Sequence, residues 1–95
     1  MEVTLQYFDG CPNWQTTDTR LRALADELGF RIAYRELTSP EEAEELSFHG
    51  SPTVLVDGHD PFPAAGQPEL ACRIYQTPAG PAGAPTDAQL RAALA

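Results

Sequence analysis

The first 37 residues read as an apolar run, an amphipathic segment and a second apolar run, and this order constrains the fold most. Residues 3–8 predict a buried strand, residues 12–28 a helix and residues 31–37 a second strand. Two strands joined by one helix over so short a span form a right-handed βαβ unit with parallel strands. We therefore expect an α/β core built on the first third of the chain.

The remaining segments extend this unit into one small domain. They predict a helix at 40–48, a strand at 53–56, a strand at 70–75 and a helix at 86–94, with an irregular proline- and glycine-rich stretch at 78–85. A chain of 95 residues holds a single hydrophobic core. The order βαβ-α-ββ-α predicts one α/β (α+β) domain over residues 1–95. Its four strands would form one mixed sheet.

Charge and cysteine usage exclude several classes of protein. The 14 acidic and 6 basic side chains give a net charge of −8, which disfavours binding to nucleic acid or to an anionic membrane. The first residues show neither the basic start of a signal peptide nor an apolar membrane span. We therefore expect a cytoplasmic location, in which two cysteines are catalytic, metal-binding or buried and do not form a disulfide scaffold.

Cys11 lies at the junction of the first predicted strand and the first predicted helix. The unpaired backbone N–H groups and the positive end of the helix dipole meet at such a junction. They favour the thiolate, which is the nucleophilic form of cysteine. Asp9 and the absence of a nearby basic residue moderate this effect. We predict that Cys11 is a nucleophile.

Cys72 has two interpretations. Its alternation with Leu70 and Ile74 along the fourth predicted strand favours a buried core cysteine. That strand would begin far from Cys11, whereas a disulfide needs Cα atoms within about 7 Å. A role as the resolving cysteine is the second interpretation, because the long connection at 59–69 can shift the register of the strand.

Several strings of residues resemble a known group of proteins. They are Tyr-Phe-Asp-Gly-Cys-Pro-Asn-Trp at 7–14, Gly-Ser-Pro-Thr-Val-Leu-Val-Asp-Gly at 50–58, Asp-Pro-Phe at 60–62 and Cys-Arg-Ile-Tyr at 72–75. With them the chain resembles the thioredoxin-like superfamily, and more narrowly the small bacterial (seleno)proteins of the DF family. The resemblance implies a four-stranded mixed sheet in the strand order 2-1-3-4. Some members of that group carry selenocysteine at the position of Cys11.

The resemblance implies a thiol–disulfide oxidoreductase, or a thiol peroxidase, in which Cys11 is the nucleophile. It implies that Pro52 follows a cis peptide bond and faces the thiol, and that the backbone of Ser51 pairs with a substrate chain. Trp14 stands where a Cys-x-x-Cys pair has its second cysteine. We therefore expect a monothiol cycle, with a protein or a small thiol as partner and no dissociable cofactor.

Other residues and functions remain open. His49, close before Pro52, is placed to stabilise the thiolate or to donate a proton. Pro12 and Trp14 would line the substrate site, or Trp14 would form the floor of the cleft. One alternative is a non-catalytic binding or adaptor protein that uses the loops at 59–69 and 78–85. Another is thiol binding of a soft metal such as mercury, since the spacing of cysteines and histidines predicts no zinc site.

Overall fold

The computed structural model describes residues 1–62 and 66–95. Its elements are β1 (Glu2–Tyr7), α1 (Asn13–Leu28), β2 (Arg31–Glu36), α2 (Pro40–Glu45), β3 (Thr53–Val56), β4 (Tyr75–Thr77), β5 (Gly80–Ala82) and α3 (Asp87–Leu94). Helices and strands are mixed along the chain, which confirms the predicted α/β character. The predicted order of elements is confirmed as far as β3.

The main sheet has three strands in the order β2-β1-β3. β1 runs parallel to β2, from the pair Glu2–Arg31 to the pair Tyr7–Glu36. It runs antiparallel to β3, whose Val56 lies opposite Val3. The central position of β1 directs its carboxyl end, and the residues that follow it, to the edge of the sheet where α1 begins.

Two apolar clusters pack around this sheet. The larger one joins residues of β1, α1, β3 and α3, namely Val3, Leu5, Leu21, Leu24, Val54, Leu90 and Leu94. The smaller one contains Leu37, Ala43 and Phe48. Burying one such aliphatic or aromatic side chain contributes about 1.5–3 kcal/mol. The larger cluster therefore fixes α1, and with it the start of the helix beside Cys11.

The predicted four-stranded sheet is wrong. β4 starts only at Tyr75 and pairs antiparallel with β5 in a separate two-stranded sheet, with Thr77 opposite Gly80. The prediction that residues 78–85 are irregular is also wrong where β5 lies. Pro81 lacks a backbone N–H, which restricts proline to positions that need no ladder donor. A two-stranded ribbon leaves such positions open, so a proline-rich strand forms there and not in the main sheet.

Residues 69–73, which we name the Cys72 segment, run extended beside the chain that leads into β3. Three backbone hydrogen bonds hold the segment: Glu69 N–H to the Phe48 carbonyl at 2.9 Å, Ser51 N–H to the Ala71 carbonyl at 2.7 Å, and Arg73 N–H to the Ser51 carbonyl at 2.9 Å. Ser51 and Cys72 form an isolated parallel bridge. The segment therefore borders the turn before β3 and not β3 itself.

The side chains of this stretch alternate in the phase opposite to the prediction. Arg73 and Tyr75 are buried, whereas Cys72 is exposed and Ile74 is 63% exposed. The prediction that Cys72 is a core cysteine, packed inward with Ile74, is therefore wrong. An apolar pattern alone favours burying Ile74, so a specific interaction must compensate for burying the charged Arg73.

The compensation comes from a set of polar partners around the Arg73 guanidinium. It forms an ion pair with Asp60 at 2.7 Å and hydrogen bonds at 3.2 Å to the Thr53 hydroxyl and to the Phe62 carbonyl. It also lies 4.6 Å from the centre of the Tyr75 ring. A guanidinium with its donors paired is tolerated inside a protein. Arg73 therefore anchors the Cys72 segment from within.

Candidate functional site

Cys11 and Cys72 form a disulfide, with Cα atoms 5.6 Å apart and a sequence separation of 61. The expectation that Cys72 lies too far from Cys11 for a bond is wrong. It assumed a fourth strand in the main sheet, whose start would lie at the distant end. The Cys72 segment instead pairs with the turn that contains Ser51, and this turn lies beside the start of α1.

The local chain path places Cys11 directly before the first turn of α1. The Cys11 N–H donates to the Phe8 carbonyl at 3.0 Å, which closes the turn after β1. Pro12 follows at the N-cap position, and no side chain of residues 1–62 or 66–95 caps the helix there. The backbone N–H groups of this 16-residue helix therefore end beside Cys11, and the first turn of the helix holds no acidic residue. This environment stabilises the negative charge of a thiolate.

Ser51 and Pro52 border the disulfide from the other side. The Ser51–Pro52 peptide bond is cis, as the resemblance implies. The Ser51 carbonyl oxygen lies 3.7 Å from Cys11 Sγ. A disulfide sulfur carries no proton, so this is a contact in the oxidised protein. In the reduced protein, the same carbonyl can accept a hydrogen bond from the thiol.

The backbone of Ser51 is already paired within the chain. Its N–H donates to Ala71 and its carbonyl accepts from Arg73. The resemblance implies that an incoming substrate chain pairs here, and the Cys72 segment occupies that place in the oxidised protein. The Ser51 hydroxyl is buried and has no hydrogen-bond partner among the described residues.

The two cysteines differ in their access to solvent. Cys11 is fully buried, with 0% of its surface exposed, whereas Cys72 is exposed. The disulfide therefore has an inner end at Cys11 and an outer end at Cys72. Burial of Cys72 was one of two interpretations of the sequence, and the structure places Cys72 at the surface instead.

The other predicted site residues are Trp14, Pro12 and His49, and no hydrogen bond joins any of them to the sulfurs among the described residues. Trp14 is half-buried and stacks on Tyr7, with ring centres 4.3 Å apart, so it ties the first turn of α1 to the end of β1. Burial is the main reason that the pKa of Tyr7 is raised. Pro12 is exposed, and His49 is half-buried two residues before Ser51. No described contact joins the His49 imidazole to either sulfur.

Tyr75 is a buried residue that contacts the cis-proline turn. Its hydroxyl donates a hydrogen bond to the Pro52 carbonyl. Burial, as the largest cause, raises the pKa of Tyr75 well above its usual value; the nearby Arg73 opposes this shift and Asp60 adds to it. The phenol therefore stays neutral and keeps donating over the whole physiological pH range.

Sequence reasoning missed Gly50 and the Arg73–Asp60 pair as determinants of the site. Gly50 has φ +112°, and a Cβ added there would lie 2.9 Å from the Cβ of Arg73. Glycine thus permits the close approach of the Cys72 segment. The available signals were the glycine next to Ser51-Pro52 and one arginine inside an apolar run.

Comparisons with known proteins add no relative. The chain matches no family model, no curated protein and no solved structure.

Among residues 1–62 and 66–95, no three side chains of histidine, cysteine, aspartate or glutamate are grouped to hold a metal ion. No helix in the described part of the chain is long and apolar enough to cross a membrane.

Proposed function

We propose that this protein is a thiol–disulfide oxidoreductase that cycles between the Cys11–Cys72 disulfide and the corresponding dithiol. The observation that carries the proposal is the pairing of these two cysteines, 5.6 Å apart between Cα atoms, at the start of α1. The monothiol cycle expected from Trp14 gives way to a dithiol cycle, since Cys72 supplies the second sulfur from elsewhere in the chain.

The reaction balances without a cofactor. In the reducing direction, the protein dithiol loses two electrons and forms its internal disulfide. A substrate disulfide gains the two electrons and is released as two thiols, which take the two protons that the protein gives up. A protein thiol or a small thiol, oxidised in turn, restores the dithiol. Substrates are therefore disulfides of proteins or of small molecules.

Three features support this proposal over an inert structural bond. The start of α1 stabilises a thiolate at Cys11, which favours opening of the disulfide. The outer end of the disulfide, Cys72, is exposed to partners. The strings around Cys11 and Pro52 resemble those of thioredoxin-like proteins, and this resemblance implies thiol–disulfide exchange.

Turnover of a test disulfide examines the proposal. Wild-type protein, Cys11→Ser and Cys72→Ser are compared as catalysts of the reduction of a small disulfide by excess glutathione, with the formation of oxidised glutathione as the readout. Ala79→Ser, at an exposed turn position, is the matched control. We expect both cysteine variants to lose turnover and the control to keep it. Retained turnover in Cys72→Ser alone would indicate a monothiol cycle, and no turnover in the wild-type protein would favour a binding or adaptor role.

That adaptor role would use the loops at 59–69 and 78–85. Residues 63–65 of the first loop lie outside the described residues, and the second contains β5. Neither observation favours a partner surface there, so the adaptor role stays an alternative that the turnover measurement decides.

The same pair favours a second candidate function, binding of a soft metal ion. Thiolates are the preferred ligands of such ions, and reduction would leave two of them side by side. Native mass spectrometry of the reduced protein with one equivalent of Hg(II) tests this. Binding in place of two protons, lost in both Cys11→Ser and Cys72→Ser, is the expected result for a two-thiolate site.

A further inference from the structure

We propose that partners exchange with this protein at the sulfur of Cys72, and that Cys11 is the internal sulfur that opens and closes the disulfide. This inference rests on the proposed function and assigns the roles within it. It reverses the roles that the resemblance implies, in which Cys11 attacks the substrate and Cys72 resolves the mixed disulfide.

The first argument is access. A thiolate that opens a disulfide must reach one of the two sulfurs, so the rate depends on the exposure of the sulfur under attack. Cys11 has no exposed surface and its Sγ lies against the Ser51 carbonyl. Cys72 is exposed. An incoming thiolate can therefore reach the disulfide of the folded protein at Cys72.

The second argument is the leaving group. Attack at Cys72 expels Cys11 as a thiolate beside the N-terminus of α1, where the helix dipole stabilises it. Attack at Cys11 would expel Cys72 from an extended segment. The cation next to Cys72 in sequence, Arg73, is paired with Asp60 and buried. A better-stabilised thiolate leaves faster, so this argument selects the same sulfur as access does.

The steps balance as follows. A partner thiolate forms a bond to Cys72 Sγ, the bond between the two protein sulfurs breaks, and the electron pair goes to Cys11 as thiolate. A second partner thiolate then attacks the partner sulfur of this mixed disulfide, and Cys72 leaves as thiolate and takes up a proton. The partner is oxidised to its disulfide. Oxidation of the dithiol by that disulfide passes through the same mixed disulfide at Cys72, by microscopic reversibility.

The anchoring of the Cys72 segment suits this cycle. Its hydrogen bonds to Ser51 and the buried Arg73 guanidinium do not involve either sulfur. They hold Cys72 near Cys11 after the disulfide opens, so Cys11 attacks Cys72 Sγ within one folded molecule. Cys72 therefore carries the partner and Cys11 releases it.

Trapping the mixed disulfide locates the exchanging sulfur. The oxidised wild-type protein is mixed with glutathione, quenched with iodoacetamide at short times and cleaved after arginine. Cleavage places Cys11 in the peptide 1–20 and Cys72 in the peptide 36–73. We expect glutathione on 36–73 and the alkyl group on 1–20. Glutathione on 1–20, or equally on both peptides, would overturn the assignment while leaving the oxidoreductase in place. A disulfide that glutathione never opens would remove both proposals.

A second measurement covers the case in which the mixed disulfide is too short-lived to trap. The single thiols of Cys11→Ser and Cys72→Ser are reacted with a chromogenic aromatic disulfide, in native buffer and in denaturant. We expect Cys72 to react at a similar rate in both conditions, and Cys11 to react roughly tenfold or more slowly in the native protein. The opposite order would overturn the assignment.

Discussion

The surroundings of Cys11 and Cys72 are built in different ways. Cys11 follows the central strand β1 and precedes α1, so its place depends on regular elements packed into the larger core. Cys72 lies in a segment outside the main sheet, held by a few hydrogen bonds and by the ion pair of the buried Arg73 with Asp60. The position of Cys11 thus depends on the packing of the larger core. The position of Cys72 depends on a small number of contacts, which single substitutions can remove.

This difference teaches where the redox pair can be altered without destroying the fold. Changes near Cys11 disturb β1 and α1, which share the core. Changes near Cys72 act on an anchored segment, so they can separate the two sulfurs while the main sheet persists. Measurements of unfolding test this contrast, first at the disulfide that joins the two regions.

Opening the disulfide should have the largest effect on stability. A bond between residues 61 apart restricts the unfolded chain and stabilises the fold by up to about 4 kcal/mol on the chain-entropy model. We expect the urea midpoint of the wild-type protein to fall markedly on reduction. Cys72→Ser, which has no bond to reduce, should show no effect of the reductant. Equal urea midpoints for the oxidised and the reduced wild-type protein would show that the disulfide does not stabilise the fold.

Replacing Arg73 should have the next largest effect, because the Cys72 segment loses its anchor. Arg73→Met removes the charge-assisted hydrogen bonds of the buried guanidinium, including the one to the partly exposed Asp60, and such bonds contribute about 1.5–3 kcal/mol. Reoxidation of the dithiol should also slow, since Cys72 is held less closely. Urea unfolding and the rate of disulfide closure are the readouts.

A double-mutant cycle isolates the ion pair from the packing of the arginine stem. Asp60→Asn alone and Asp60→Asn with Arg73→Met complete the cycle. A coupling free energy near zero would mean that the pair does not anchor the segment.

The same contrast explains how far the sequence predicts this protein. The βαβ unit was predictable because its strands and helix each follow a regular hydrophobic period, and Cys11 inherits its place from them. Cys72 was not predictable in this way. Its orientation depends on the pairing of Arg73 with Asp60, 13 residues earlier. The pattern of apolar residues along the chain does not reveal such a pair. The distance argument against a bond between Cys72 and Cys11 failed for the same reason, and the second interpretation, a resolving cysteine, is the one that the pairing fits.

Gly50 should be sensitive to any side chain, with a smaller cost. In Gly50→Ala the new Cβ meets Arg73 and the backbone is held at φ +112°, a conformation that costs about 1–3 kcal/mol for residues other than glycine. Gly58→Ala is the matched control, because Gly58 also has a positive φ, +83°, but nothing within 4 Å of the added atom. The excess loss of stability in Gly50→Ala measures the contact with the Cys72 segment. Equal losses would show that the close approach does not matter.

The smallest predicted effect concerns Tyr75, which joins the two regions through Pro52. Tyr75→Phe removes the hydrogen bond to the Pro52 carbonyl and should cost about 1 kcal/mol at neutral pH. Because the folded pKa of Tyr75 is raised by burial, its contribution is fully present below the unfolded pKa of about 10. It is lost as the pH rises beyond that value, where the unfolded chain ionises and the folded one does not.

Unfolding measured between neutral and strongly alkaline pH tests whether Tyr75 contributes less stability as the pH rises. The wild-type protein should lose stability more steeply above about pH 10 than Tyr75→Phe does. The pKa values of Tyr7 and Tyr34 are also raised, chiefly by burial, and both residues remain in the two proteins, so their contributions cancel in the comparison. Parallel curves would show that the Tyr75 phenol does not hold its proton in the folded state.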